Sequence, residues 1–234
     1  MIRFFIVIIS CFFLILYYVP KMSYYARHGE KYDEETCYRM AQVMIEHVKK
    51  RGRIETVASG MENLPTEGGY IMFANHQGKY DALGVMSVHE QPCTFVMDAK
   101  RSHLFIVTQL CELLKAKRLD KTDLRQQVQV INDVATEIKA GRRYILFPEG
   151  GYNHNHNSLR GFLPGSFKIA QKAKCPIVPV VLYDSFKPFE GKSFRKVITQ
   201  LHFLPPIPYE TFADMKTYEI RDMVVSLIQN QLDK

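Results

Sequence analysis

The stretch of this 234-residue chain with the densest reactive chemistry is Asn75-His76-Gln77-Gly78-Lys79-Tyr80-Asp81. A neutral imidazole takes up a proton near pH 7, and a carboxylate on its far nitrogen fixes the tautomer and stabilises the imidazolium. His76 and Asp81 are therefore the residue types of a proton-handling pair. Spacing alone does not make the pair: with 8 His and the 10 Asp counted along the chain, chance supplies about 0.3 cases of Asp five positions after His. Five residues of regular helix turn through about 500°, which would leave the two on different faces. The chain between them must turn, and Gly78 has the conformational freedom to let it, placing Asp81 near the start of a following helix. The free N–H groups there favour an ionised carboxylate and offer a place for an oxyanion or a phosphate.

A second polar cluster, Phe147-Pro148-Glu149-Gly150, follows the apolar run Tyr144–Phe147, as His76 follows Tyr70–Ala74. Ionisable residues just past buried parallel strands sit where α/β proteins place their sites, so the two strand ends predict one shared site. His154 and His156 lie two positions apart in an Asn-rich loop with no acidic third ligand nearby in sequence; they are read as solvent-exposed, and no metal or other cofactor is expected.

Behind these residues, the pattern predicts strands at 70–74, 93–97, 144–147, 177–183 and 197–204. Helices are predicted at 80–88, 103–114, 124–140, 165–173 and 218–232. Leu124, Val128, Ile131, Ala135 and Ile138 are expected on the inner face of the helix over 124–140. Pro179 inside Ile177–Tyr183 points to an edge, a bulge or a strand end. Continuous apolar strands separated by helices argue for an α/β fold: a mixed, largely parallel sheet flanked by helices, with an N-terminal membrane-associated helical pair. The chain divides into residues 1–52, the hydrophobic and amphipathic helices of a membrane anchor, and residues 53–234, the catalytic domain.

The anchor reading rests on FFIVIISCFFLILYYV, residues 4–19, which carries no charge and is closed by Pro20-Lys21. It is on the short side for spanning a ~30 Å hydrocarbon core as one helix, and no small-x-small cleavage site follows, so it is read as retained. Arg3 precedes it, and Lys21, Arg27 and Lys31 follow, which places the remainder on the cytoplasmic side of the cell membrane if the segment spans. A second helix starts at an Asp33 cap, buries Cys37, Met40, Ala41, Met44, Ile45 and Val48, and stops at Gly52. Packing on the domain is the usual fate of such a stripe.

A net charge of +7 suits phosphate-bearing partners. Scattered cations, and no zinc-finger or RNA-binding motif, argue against nucleic acid, while the apolar N-terminus argues for the lipid bilayer. The five widely spaced Cys suggest neither a disulfide framework nor a zinc site.

The ordered blocks NHQGKYD, FPEG and IVPV resemble the glycerolphosphate acyltransferase superfamily, most closely the bacterial 1-acyl-sn-glycerol-3-phosphate (lysophosphatidic acid) acyltransferases. The likeness runs from Gly69 to Pro208, roughly 60% of the chain, with Lys117-Arg118-Leu119-Asp120 as the match to the basic second block. It implies a fatty acyl donor, acyl-CoA or acyl carrier protein, and lysophosphatidic acid as acceptor, with phosphatidic acid as product. His76 is then the base and Asp81 its orienter. Asn75, Glu149 and Gly150 bind and orient the acceptor, and Arg118 is the first candidate for its phosphate, since a guanidinium fork binds phosphate oxygens in pairs. The family's FPEG is commonly followed by Thr-Arg, whereas this chain has Gly151-Tyr152; Arg160 or Lys168 is the candidate replacement for the missing cation. Three other readings are a different acceptor, such as glycerol-3-phosphate or another lysophospholipid; a membrane-anchored metal-dependent hydrolase built on His76, Asp81, His154 and His156; and a non-catalytic lipid-binding protein.

Overall fold

The computed structural model describes residues 2–190 and 193–234. Seven strands, β1 (Ile54–Ser59), β2 (Ile71–Ala74), β3 (Thr94–Asp98), β4 (Lys117–Leu119), β5 (Tyr144–Leu146), β6 (Ile177–Tyr183) and β7 (Val197–Phe203), form one sheet in the order β1-β7-β6-β2-β5-β3-β4. From β6 to β4 neighbouring strands are parallel; β7 runs antiparallel to β6 and carries β1 beside it in parallel. The sheet is mixed and largely parallel.

The helices are α1 (Ile2–Ser10), α2 (Phe12–Arg27), α3 (Glu34–Gly52), α4 (Asp81–Val88), α5 (Ala99–Ser102), α6 (Val107–Leu113), α7 (Leu124–Lys139), α8 (Lys168–Ala173), α9 (Lys187–Glu190), α10 (Tyr209–Phe212) and α11 (Thr217–Leu232). Alternation along β2 sends side chains to opposite faces. Tyr70, Met72 and Ala74 pack into a cluster with Met22 of α2, Tyr38 and Ile45 of α3, Val85 of α4 and Leu110 of α6. Ile71 and Phe73 pack on the other face with Val134 of α7, Ala170 of α8 and Val224 of α11. Both faces of the central strands are covered, which explains their unbroken apolar runs.

Several expectations change on contact with the structure. The apolar segment 4–19 is not one helix: α1 and α2 meet at Cys11 and bend by 72°. Among the described residues no single helix is long and apolar enough to cross a membrane; the bent pair together has the length and composition. α2 runs through Pro20 to Arg27, and Met22, fully buried just beyond the proline, holds the continuation on the core. Arg3, counted above as a flanking topology charge, is fully buried. Its guanidinium donates to the carbonyls of Pro188 at 2.9 Å and of Ser193 and Arg195 at 2.8 Å, and also to that of Gly52. α3 packs on the domain, sharing its core, and its Asp33 cap is present, with Oδ1 accepting from Thr36 N–H at 2.8 Å.

In α7 the buried stripe is Val130, Val134, Ala135 and Ile138, while Leu124 and Val128 are exposed. The helix expected over 103–114 is cut to α6, behind a loop in which Ile106 takes φ 73°. β6 is central rather than an edge, and Pro179 is accommodated by a bulge in the facing segment. Val180 pairs with Phe203, yet Ile177 bridges Ile207, so the register slips by one residue around Leu204–Pro206. Pro179 lacks an N–H but its carbonyl accepts from Leu204 at 2.9 Å.

Candidate active site

Past the end of β2 the backbone leaves the sheet, and side-chain amides take over the pairing. Asn75 Nδ2 donates to the Leu182 carbonyl at 2.9 Å while Asn75 Oδ1 accepts from Leu182 N–H at 2.7 Å. Gln77, fully buried, donates to the same carbonyl at 2.7 Å and to Asn157 Oδ1 at 2.9 Å, and accepts from Ser185 N–H at 2.8 Å. Two buried amides thus clamp the turn to the end of β6. Between them, the His76 side chain stays partly exposed, at 18%.

His76 Nδ1 lies 2.6 Å from Asp81 Oδ2, and the same oxygen accepts from the backbone N–H groups of Gln77 at 2.6 Å and Gly78 at 2.9 Å. Asp81 is the first residue of α4 and is fully buried, so its carboxylate faces three converging donors. An acceptor at Nδ1 assigns the proton to that nitrogen and leaves the Nε2 lone pair as the base. The turn forms as the spacing requires, but the reason for glycine differs from the expectation. Gly78 has no left-handed backbone; a Cβ there would come within 3.2 Å of the Phe186 Cα. The residue is small because another segment of backbone passes close by.

His76 stacks on Phe147, with ring centroids 4.4 Å apart and planes at 21°, and meets the edge of Tyr152 at 4.8 Å. The guanidinium of Arg101 lies 5.1 Å from the centre of the Tyr152 ring. Glu149 reaches the site from the turn after β5: its Oε1 accepts the His76 backbone N–H at 2.9 Å. Its Oε2 is buried with no hydrogen-bond partner among the described residues. Burial pushes the Glu149 carboxyl up to about 7, against the opposing pull of the His76 N–H and the Arg160 charge. Gly150 occupies the left-handed region at φ 68° and closes the turn by donating to the Phe147 carbonyl at 3.1 Å.

The structure brings His76, Asp81, Glu149, Gly150 and Arg160 together, and Arg160 also donates to the Gly151 carbonyl at 3.0 Å. Other candidates take different places. Asn75 is 1% exposed and braces β6, so it positions the site rather than meeting a ligand. Arg118, on β4, donates to Ser102 Oγ at 3.1 Å and lies 3.8 Å from Glu112. It stands three strands from β2, roughly 14 Å at ~4.8 Å per strand. Lys168 bonds Gln171 of its own helix at 3.4 Å, on the opposite face of the sheet from His76. His154 and His156 gather on Glu190, not on His76, so the four residues of the hydrolase alternative do not form one ligand set.

Sequence reasoning missed Tyr152, Arg101, Phe147 and Gln77. Tyr152 carried a signal, standing in the position where a cation was expected. The others announce nothing by type or spacing.

Comparison with known proteins adds relatives of sequence and of fold. The sequence model of the acyltransferase family matches residues 55–183. A 1-acyl-sn-glycerol-3-phosphate acyltransferase alpha from Homo sapiens is 32% identical over 178 residues, covering 74% of this chain and 62% of that protein. A 1-acyl-sn-glycerol-3-phosphate acyltransferase from Borreliella burgdorferi is 27% identical over 187 residues, covering 77% of this chain and 71% of that protein. The chain thus spans less than two thirds of the length of its mammalian relatives. In fold, it is similar to the crystal structure of the 1-acyl-sn-glycerophosphate (LPA) acyltransferase PlsC from Thermotoga maritima, with TM-score 0.77, 99% of this chain and 97% of that chain covered, and 18% identity. With the family match extending over more than half of its residues, from β1 to the end of β6, the chain belongs to the acyltransferase family.

Proposed function

We propose that the protein transfers a fatty acyl group from acyl-CoA or acyl carrier protein to the sn-2 hydroxyl of 1-acyl-sn-glycerol-3-phosphate, releasing phosphatidic acid and a free thiol. The observation that carries this reading is the His76 Nδ1 contact with buried Asp81 at 2.6 Å, which leaves Nε2 of a partly exposed imidazole as the base. As the hydroxyl oxygen attacks the thioester carbonyl, Nε2 takes its proton. The tetrahedral intermediate collapses by breaking the C–S bond, and the imidazolium returns the proton to the leaving thiolate. Asp81 stabilises the transient imidazolium, and the acceptor's own hydroxyl is the nucleophile, so no acyl-enzyme forms.

Glu149, titrating near neutrality, has one buried oxygen committed to the His76 backbone and another available to a glycerol hydroxyl, which it can meet as acceptor or, when protonated, as donor. Direct contact of its ionised form with phosphate would be repulsive. Arg160, beside Glu149, and Arg101, beside Tyr152, would take the phosphate in the stead of the cation absent after FPEG. The exposed apolar faces of α1 and α2 would rest in the cytoplasmic surface of the cell membrane, where acyl carriers and lysophospholipid meet.

The test is thiol release from acyl-CoA in the presence and absence of lysophosphatidic acid, with the lipid product identified by mass spectrometry. We expect acceptor-dependent release, and a fall of about 10²–10⁴-fold in kcat for His76→Ala with an unchanged circular dichroism spectrum. Full activity in that variant, or release indifferent to every acceptor offered, would overturn the proposal.

A further inference from the structure

A second group of chemically capable side chains is assembled from segments far apart in sequence. His154 and His156 lie in the loop after Gly151, and Glu190 is the last residue of α9. His154 Nδ1 stands 3.2 Å and His156 Nε2 3.7 Å from the same oxygen, Glu190 Oε2. All three ligand atoms lie within 4.8 Å of one another. A tetrahedral zinc ion about 2.0–2.1 Å from each donor needs ligand atoms roughly 3.3 Å apart, a value the two Glu190 distances bracket.

We propose that His154, His156 and Glu190 bind one divalent transition-metal ion, Zn²⁺ best of all, with water completing its coordination. Two imidazoles and one carboxylate suit a borderline cation such as zinc and lack the all-oxygen shell that magnesium or calcium demands. Solvent reaches the donors directly, since the side chains of His154 and His156 are 74% and 53% exposed. One ring is already oriented: His156 stacks on Phe186 with centroids 4.0 Å apart and planes at 22°. Both histidines hold φ 49°, in a region that histidine tolerates better than most residues.

The ion would join two segments that both touch the His76 turn. Asn155, between the two ligands, donates to the His76 carbonyl at 3.3 Å. Asn157 bonds Gln77 at 2.9 Å and also Asp184 N–H at 2.9 Å, in the segment that leads to α9. A metal at this point fastens the loop to α9 above the turn that presents the base, without entering the acyl transfer itself.

Imidazolium–carboxylate pairing would produce similar distances, and metal binding separates the two. The full chain, purified without a histidine tag and stripped with chelator, is titrated with Zn²⁺ and, separately, Mg²⁺; bound metal is measured after gel filtration, and Co²⁺ loading is followed by visible absorption. We expect one Zn²⁺ per chain, no retained Mg²⁺, and tetrahedral Co²⁺ bands. His154→Ala and Glu190→Ala should each weaken Zn²⁺ binding at least about tenfold, while His76→Ala leaves it unchanged. If Glu190→Ala fails to fold, His156→Gln on the exposed loop decides in its place. A wild-type chain that retains no Zn²⁺, or loop variants that bind it as tightly as wild type, would overturn the proposal.

Discussion

The surroundings of Glu149 desolvate its carboxylate more than they compensate it. Its folded value near 7 lies above the ordinary 4.5, so the native state favours the protonated form. The stability this contributes is fully present below about pH 4.5 and is lost as pH rises through about 7. Glu149→Gln keeps an oxygen for the His76 N–H and removes the titration. The melting temperature of the variant, measured against wild type by calorimetry from pH 4.5 to 8, should therefore gain on wild type as pH rises; parallel curves would reject the assignment. At this scale the sequence was most legible where one residue type dictates the chemistry. Histidine and aspartate separated by five positions behind one buried strand, with FPEG behind another, picked out the pair. What remained hidden were residues that act through shape: Phe147 as a stacking platform, and Gly78 as a gap for the Phe186 backbone.

At the scale of elements, Asn75 extends β2 by one rung beyond its last backbone pair, and both its polar atoms are spent on Leu182. Asn75→Ala would leave the Leu182 N–H unpaired in a buried place, so a loss of about 1–3 kcal/mol is expected in urea unfolding. The KM for lysophosphatidic acid should change little. Unchanged stability with a raised KM would instead return Asn75 to ligand binding. The buried strands were readable because their apolar runs had no alternative fate. β1, at the sheet's edge, was not: it buries only Ile54 fully and exposes Val57, so its pattern resembles a loop. The stripe on α7 was misjudged because Leu124 and Val128 are apolar yet exposed, at 76% and 56%, and hydrophobicity alone does not say which side faces the core. The bend at Cys11 has no glycine or proline to announce it; tertiary contacts of Val7 and Cys11 with Ile54, Tyr80 and Phe189 set the direction of α1 instead.

Seen as a whole molecule, the N-terminal pair is two-sided: Arg3, Val7, Cys11 and Met22 are buried, whereas Phe5, Ile9, Phe12, Phe13, Leu16 and Tyr17 are more than half exposed. Contiguous apolar surface of this kind marks an interaction face. Phe12→Glu with Phe13→Glu, at the elbow of the pair, should leave the melting temperature within a few degrees of wild type and abolish co-sedimentation with anionic phospholipid vesicles; undiminished vesicle binding would place the membrane contact elsewhere. The dual character also explains why an uncharged run, read as a membrane anchor, gave no sign of which of its residues pack on the domain. The anchoring of Arg3 imposes an order on synthesis. The carbonyls that receive its guanidinium belong to Gly52, Pro188, Ser193 and Arg195, and the last of these is made long after α1 has left the ribosome. Until then the first helix has no complete seat on the protein, and its apolar surface stays open to whatever is nearby until most of the domain has been made.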